Sequence, residues 1–263
     1  TNFELLTVSG GGDWTLTGTQ SYTTIDVTGG TLAIGNGSTA TVTASGAVTL
    51  DATTVTVNSG SSLSAGSITG GDNGVALDIA AGGSVTSTGA ITFGAGADAI
   101  TVGAGSTLDA SSIDMGNGGD SFTLDATATL TLGAGNQISG GGGTDSLILT
   151  GSGTGTGSFD LDSQTAFETL TVSGGDDWTL TGTGTGFTTI DVTGGSLTLG
   201  NGSTATVTVS GAVTLDATTV TVNDGSSLSA GSIAATTTSP WRPEPRLPSP
   251  GRFPAALIPT PWR

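Results

Sequence analysis

Along residues 1–233 the chain alternates apolar residues with Thr, Ser or Asp in short runs. Leu5-Leu6-Thr7-Val8, Thr24-Ile25-Asp26-Val27, Ala40-Thr41-Val42-Thr43 and Thr54-Val55-Thr56-Val57 are examples. Period-two alternation rich in β-branched residues predicts strands with one buried face. Each run is three to five residues long and ends in Gly, Asn, Asp or Ser, which turn a chain sharply. No 3.6-residue pattern extends even ten residues, so essentially no helix is expected.

One block of this pattern occurs twice. Residues 3–68 return as 167–233, and 8 of 64 aligned pairs differ, among them Gly12/Asp176, Tyr22/Phe187 and Ser59/Asp224. The offset changes from 164 to 165 within the Gly184-Thr185-Gly186 turn. A copied block of short strands adds rungs to a solenoid, whereas it would disrupt a closed sandwich. The strands are shorter than those of ordinary sheets, and no long crossovers separate them. The expected fold is therefore all-β, a parallel β-helix (β-solenoid) over residues 1–233. With about 20 residues per coil, on the order of a dozen coils would make a rod roughly 55–60 Å long. Val, Leu, Ile and Ala should point inward, and Thr, Ser and Asp outward. Residues 69–166 follow the same grammar less strictly, and the Ser152–Gly157 run reads as a flexible loop.

Composition agrees with a stack of thin coils. There are 47 Gly among 263 residues and 5% aromatics, too little bulk for one globular core but enough for units that bury their faces on each other. A mean hydropathy of +0.18 argues against disorder. Residues 1–238 hold 20 acids and no Lys, Arg or His, a charge balance that repels nucleic acid and anionic membranes and leaves cations as the charged partners. With no cysteine, neither disulfides nor thiol chemistry is expected. No apolar run is long enough to span a membrane as a helix. No leader is visible and residue 1 is Thr, so the chain reads as a fragment or a processed form.

The pattern stops at residue 234. All eight Pro and all four Arg lie beyond Ser239. Read one base earlier, codons for Ala234 to Trp241 permit Gly-Gly-Asp-Asp-Asp-Val-Ala-Leu, close to Gly70–Leu77 of the first copy. Residues 234–263 therefore read as a frame-shifted continuation of the repeat, expected to be an irregular, disordered tail. A genuine Pro-rich linker is the alternative.

Three turns share the form Gly-x-Gly-x-Asp-x-apolar: Gly94 to Ile100, Gly116 to Phe122 and Gly141 to Leu147. With Gly140 in front, the last matches the pattern of calcium-binding RTX repeats. Asp98, Asp120 and Asp145 are therefore calcium candidates, since carboxylate and turn carbonyls are hard oxygen ligands. RTX turns run in direct tandem, however, and these Asp residues lie 22 and 25 apart, so they stack only if each coil is that long. A plain Gly–Asp turn explains the same residues. Thr-x-Thr pairs such as Thr41/Thr43 suit an ice-binding ladder, or simply a solvated strand face. Asp176-Asp177 is the single acidic doublet, and no His or Cys is present to assist a nucleophile, so no enzyme is expected and no catalytic residue stands out. Trp14 and Trp178 are expected to be buried anchors between coils. No organic cofactor is indicated.

In its repeat grammar the chain resembles the passenger regions of bacterial autotransporters, the self-secreting surface proteins of Gram-negative bacteria. The resemblance rests on Ile138 to Gly151, Phe167 to Gly174 and Gly194 to Gly202. It implies a right-handed parallel β-helix and export to the bacterial cell surface. It further implies a stalk for adhesion or display, with a protein or glycan of a host or neighbouring cell as partner. Membrane attachment would come only through the family's carboxy-terminal barrel, which residues 1–263 do not contain. The alternative is a calcium-stabilised extracellular solenoid of RTX or S-layer type.

Overall fold

The computed structural model describes residues 3–133, 137–153, 155–216 and 218–236. The chain winds as a parallel β-solenoid of about 10 turns. Each described strand pairs in parallel with a strand one turn away, so each backbone ladder joins neighbouring coils rather than neighbouring strands in sequence.

Three faces line the rod, and each carries an inward column. On the first, Leu6, Ile25, Val48, Ile68, Ile91, Ile113 and Ile138 stack in register, followed by Gln164. The second column runs unbroken from Trp14 through Leu32, Val55, Leu77, Ile100, Phe122, Leu147, Leu170, Ile190 and Val213 to Ile233. The third begins Gln20, Val42, Leu63, Val85, Leu108, Leu130. Successive members lie from 18 residues (Trp14 to Leu32) to 26 residues (Ile138 to Gln164) apart, so the rod has fewer, longer coils than the dozen expected. Like residues on like residues give close packing with no large aromatic needed in most coils.

The two copies fold alike on different faces. Leu6 lies on the first face and its counterpart Leu170 on the second; Trp14 lies on the second and Trp178 on the third. Seven steps along the first face carry Leu6 to Gln164, and one further face reaches Leu170. The copy is therefore displaced by seven turns and a third. Its local bonds survive the rotation. The Asn58 side-chain amide donates to the Gly35 carbonyl as Asn223 does to Gly200. The Ser61 hydroxyl accepts from the Ala40 amide as Ser226 does from Ala205.

Several expectations change. Trp178 is 1% exposed, as expected, but Trp14 is 56% exposed, because no strand of the described residues lies on its outer side. The run expected as a loop to Gly157 ends sooner: the strand Thr156–Asp160 begins inside it, with Thr154 outside the described residues. One short 3₁₀ turn, Leu161–Ser163, interrupts the all-β pattern. The last strand, Ser227–Thr236, continues past residue 233 and pairs Ala234 and Ala235 with Thr214 and Leu215. Residues 237–263 of the expected tail lie outside the described residues. Among those described, the exposed large hydrophobics are Phe3, Leu5, Trp14, Val222 and Ile233, all in the first and last coils.

Candidate functional site

The three Gly-x-Gly-x-Asp turns come together at one corner, between the first and second faces. Asn117 pairs with Gly142 and Gly118 with Gly143, while Ala95 bridges Asn117. Two glycine columns result, Gly94–Gly116–Gly141 and Gly96–Gly118–Gly143. A Cβ on Gly118 would lie 1.6 Å from the Gly96 carbonyl oxygen, and one on Gly143 1.5 Å from that of Gly118. The spacing of two glycines per turn thus follows from close backbone approach between coils.

The Asp that follows each glycine pair turns inward. The tight turn interrupts the backbone ladder just before the second-face strand, so the amide there lacks a carbonyl in the next coil. The carboxylate of the coil above supplies the acceptor. Val75 donates its amide to Asp98 Oδ1 at 2.7 Å, Asp98 to Asp120 Oδ1 at 2.8 Å, and Asp120 to Asp145 Oδ1 at 2.7 Å. Asp145 donates to Glu168 Oε2 at 2.8 Å. The result is a continuous column of four acids, one per coil. Asp98, Asp120 and Asp145 are at most 1% exposed, and the Oδ2 of each is buried without a hydrogen-bond partner.

Burial pushes all three carboxyls above the ordinary aspartate range. Asp120, in the middle, is raised to about 6, chiefly by burial, against the pull of the Asp98 amide and with added repulsion from Asp145, Asp98 and Asp114. Asp98 is raised by burial, opposed by the Val75 amide. Asp145 is raised by burial, opposed by the Asp120 amide and reinforced by Glu168.

The structure thus brings together the three residues singled out as calcium candidates, with one oxygen of each directed at an amide. Among the described residues no group of three or more His, Cys, Asp or Glu is placed to hold a metal ion. Glu168 is the member that reading the sequence overlooked. Its distance of 23 residues from Asp145, one coil, is the signal that could have found it. The acidic doublet does not act as a pair: Asp176 is buried and takes the amides of Gly153 and Gly155, whereas exposed Asp177 accepts from the Ser196 hydroxyl.

Among the described residues the outward positions of the second face hold no uniform Thr ladder. On the second face the row Thr15, Ala33, Thr56, Asp78, Thr101, Thr123, Ile148 is broken by Ala, Asp and Ile. A recess of about 530 Å³ opens on the third face between Thr129–Leu132 and Ser158–Asp160, and Asp160 is its single ionisable lining residue. A recess of about 310 Å³ holds Asp160 and Asp162, each already accepting a backbone amide.

The fold and the corner column define a β-solenoid repeat protein. No protein-family model matches the chain, and no curated protein or solved structure matches it.

Proposed function

We propose that this solenoid is a structural stalk of a bacterial cell surface, of the kind found in autotransporter passengers, serving adhesion or display. The observation that carries the reading is the unbroken second-face column from Trp14 to Ile233. Ten steps at the parallel-strand spacing make a rigid spacer about 50 Å long. Between its end coils the surface is polar and acidic and, among the described residues, without an exposed large hydrophobic, so the rod's length rather than a cleft is its main product. The partner is a surface protein or glycan of a host or neighbouring cell. Nucleic acid is disfavoured by 20 acids without a compensating base in residues 1–238. A catalytic role is disfavoured, because the third-face recess holds one ionisable side chain and the two carboxylates of its neighbour, Asp160 and Asp162, are each already engaged by a backbone amide.

The test fuses the chain ahead of an outer-membrane barrel in a Gram-negative host. Exposure is read by protease shaving, and adhesion to epithelial cells and to neighbouring bacteria is scored against a barrel-only control. Surface exposure with adhesion or clumping above the control is the expected result. Exposed chains that leave adhesion unchanged while releasing sugars from a polysaccharide would replace the stalk reading with an enzymatic one.

A further inference from the structure

The corner column holds more than a set of amide acceptors. Asp98, Asp120 and Asp145 each use Oδ1 for an amide of the coil below, and each keeps Oδ2 buried and unpartnered. The charged groups that face the column are acids as well. Asp114, from the first-face strand, faces Asp120, and Glu168 of the next coil faces Asp145. No Lys, Arg or His occurs in residues 1–238 to neutralise them. Three ionised carboxylates in a row would combine the cost of desolvation with like-charge repulsion across about one strand spacing. A proton taken from solvent onto each Oδ2 removes both costs and leaves every Oδ1–amide bond in place.

We propose that the Asp98–Asp120–Asp145 column is a proton-binding site that fastens the middle coils in mildly acidic surroundings and loosens them above neutrality. Asp98 and Asp145 are raised above 3.8 and Asp120 to about 6. A group whose folded pKa exceeds its unfolded value contributes stability in full below the unfolded pKa. That stability is lost as pH rises through the folded pKa, about 6 for Asp120. The rod is therefore tightest in acid, opposite to a protein held together by ionised carboxylates.

Thermal melting of the full chain between about pH 4.5 and 8 tests this. Asp120→Asn puts an amide where the protonated acid would sit and keeps the oxygen that accepts from Asp98. Asp224→Ser removes an equal charge from an exposed turn, using the residue that the first copy carries at Ser59. Wild type should melt lower at pH 8 than at pH 5. Asp120→Asn should melt above wild type at pH 8 and show a flatter profile, while Asp224→Ser follows the wild-type slope. In parallel, folded wild type at about pH 5.5, where free aspartate is ionised, should show the infrared carbonyl band of protonated carboxyl groups, and unfolding should abolish it. Absence of that band, or an Asp120→Asn variant that melts below wild type with an unchanged slope, overturns the proposal. So does a wild-type melting temperature that rises with calcium and falls with EDTA, an effect lost in Asp120→Asn, which would make the column a cation site. If the variant does not fold, the wild-type infrared band decides.

Discussion

Trp178 lies flat over Gly157, so close that a Cβ on the glycine would come within 2.7 Å of the indole ring. The same block position in the first copy, Trp14, has no strand over it. One residue in one sequence context is thus a buried anchor in one copy and a half-exposed ring in the other.

Truncating these two residues should separate the cases. Trp178→Ala should lower stability by about 3–5 kcal/mol, the range for emptying a packed aromatic site. Trp14→Ala should cost roughly 0.5 kcal/mol, as for an exposed position. Gly157→Ala should also destabilise, by about 1–3 kcal/mol, through overpacking. Urea titrations followed by circular dichroism provide the measurement. Equal losses for both tryptophans would contradict the burial difference.

Glycines of the corner columns should behave unlike glycines of open turns. Gly118→Ala forces a Cβ against the Gly96 carbonyl, a backbone atom that cannot rotate away, and should cost at least about 3 kcal/mol. Gly105 has φ +61 and nothing near its missing Cβ, so Gly105→Ala should cost only the left-handed backbone penalty, about 1–2 kcal/mol. The difference in urea midpoints between the two variants checks the point.

Gln164 ends a column of apolar residues on the first face. It is buried, and its Oε1 has no hydrogen-bond partner. Gln164→Leu exchanges that oxygen for a methyl group of similar volume and should raise stability by about 1 kcal/mol. A lower melting temperature in the variant would mean that the polar end is matched in solution.

Much of the fold was legible because alternation fixes which side chains face in. Val42, Leu63 and Val85 read as inward residues from their Thr and Ser neighbours alone, and they stack so. The candidate acids were found through their glycines, but their inward direction was not. Asp98 looks like an ordinary turn residue until the interrupted ladder of the next coil is known, and that depends on contacts 22 to 25 residues away. Trp14 was misplaced for a related reason: burial in a solenoid depends on the coil above or below, and the Asp-Trp-Thr-Leu strand is the same in both copies.

Asp176 shows how a copied block adjusts to a new neighbour. Where the first copy has Gly12, the second places a carboxylate that receives the amides of Gly153 and Gly155 from the preceding coil. Asp176→Gly, a reversion to the first copy's residue, should speed hydrogen exchange at those two amides and leave exchange at Val192 and Leu199 unchanged. Uniformly faster exchange along the rod would mean that the change unfolds the whole coil instead.

The seven-and-a-third-turn displacement of the copies also fixes the compass bearings of what they present. The exposed tips Asn36–Ser38 and Asn201–Ser203 share one sequence, yet they leave the rod at different corners, a third of a revolution apart. A flat surface lying along one side can meet only one of them at a time. A single duplicated turn is thereby presented from one shaft along two azimuths.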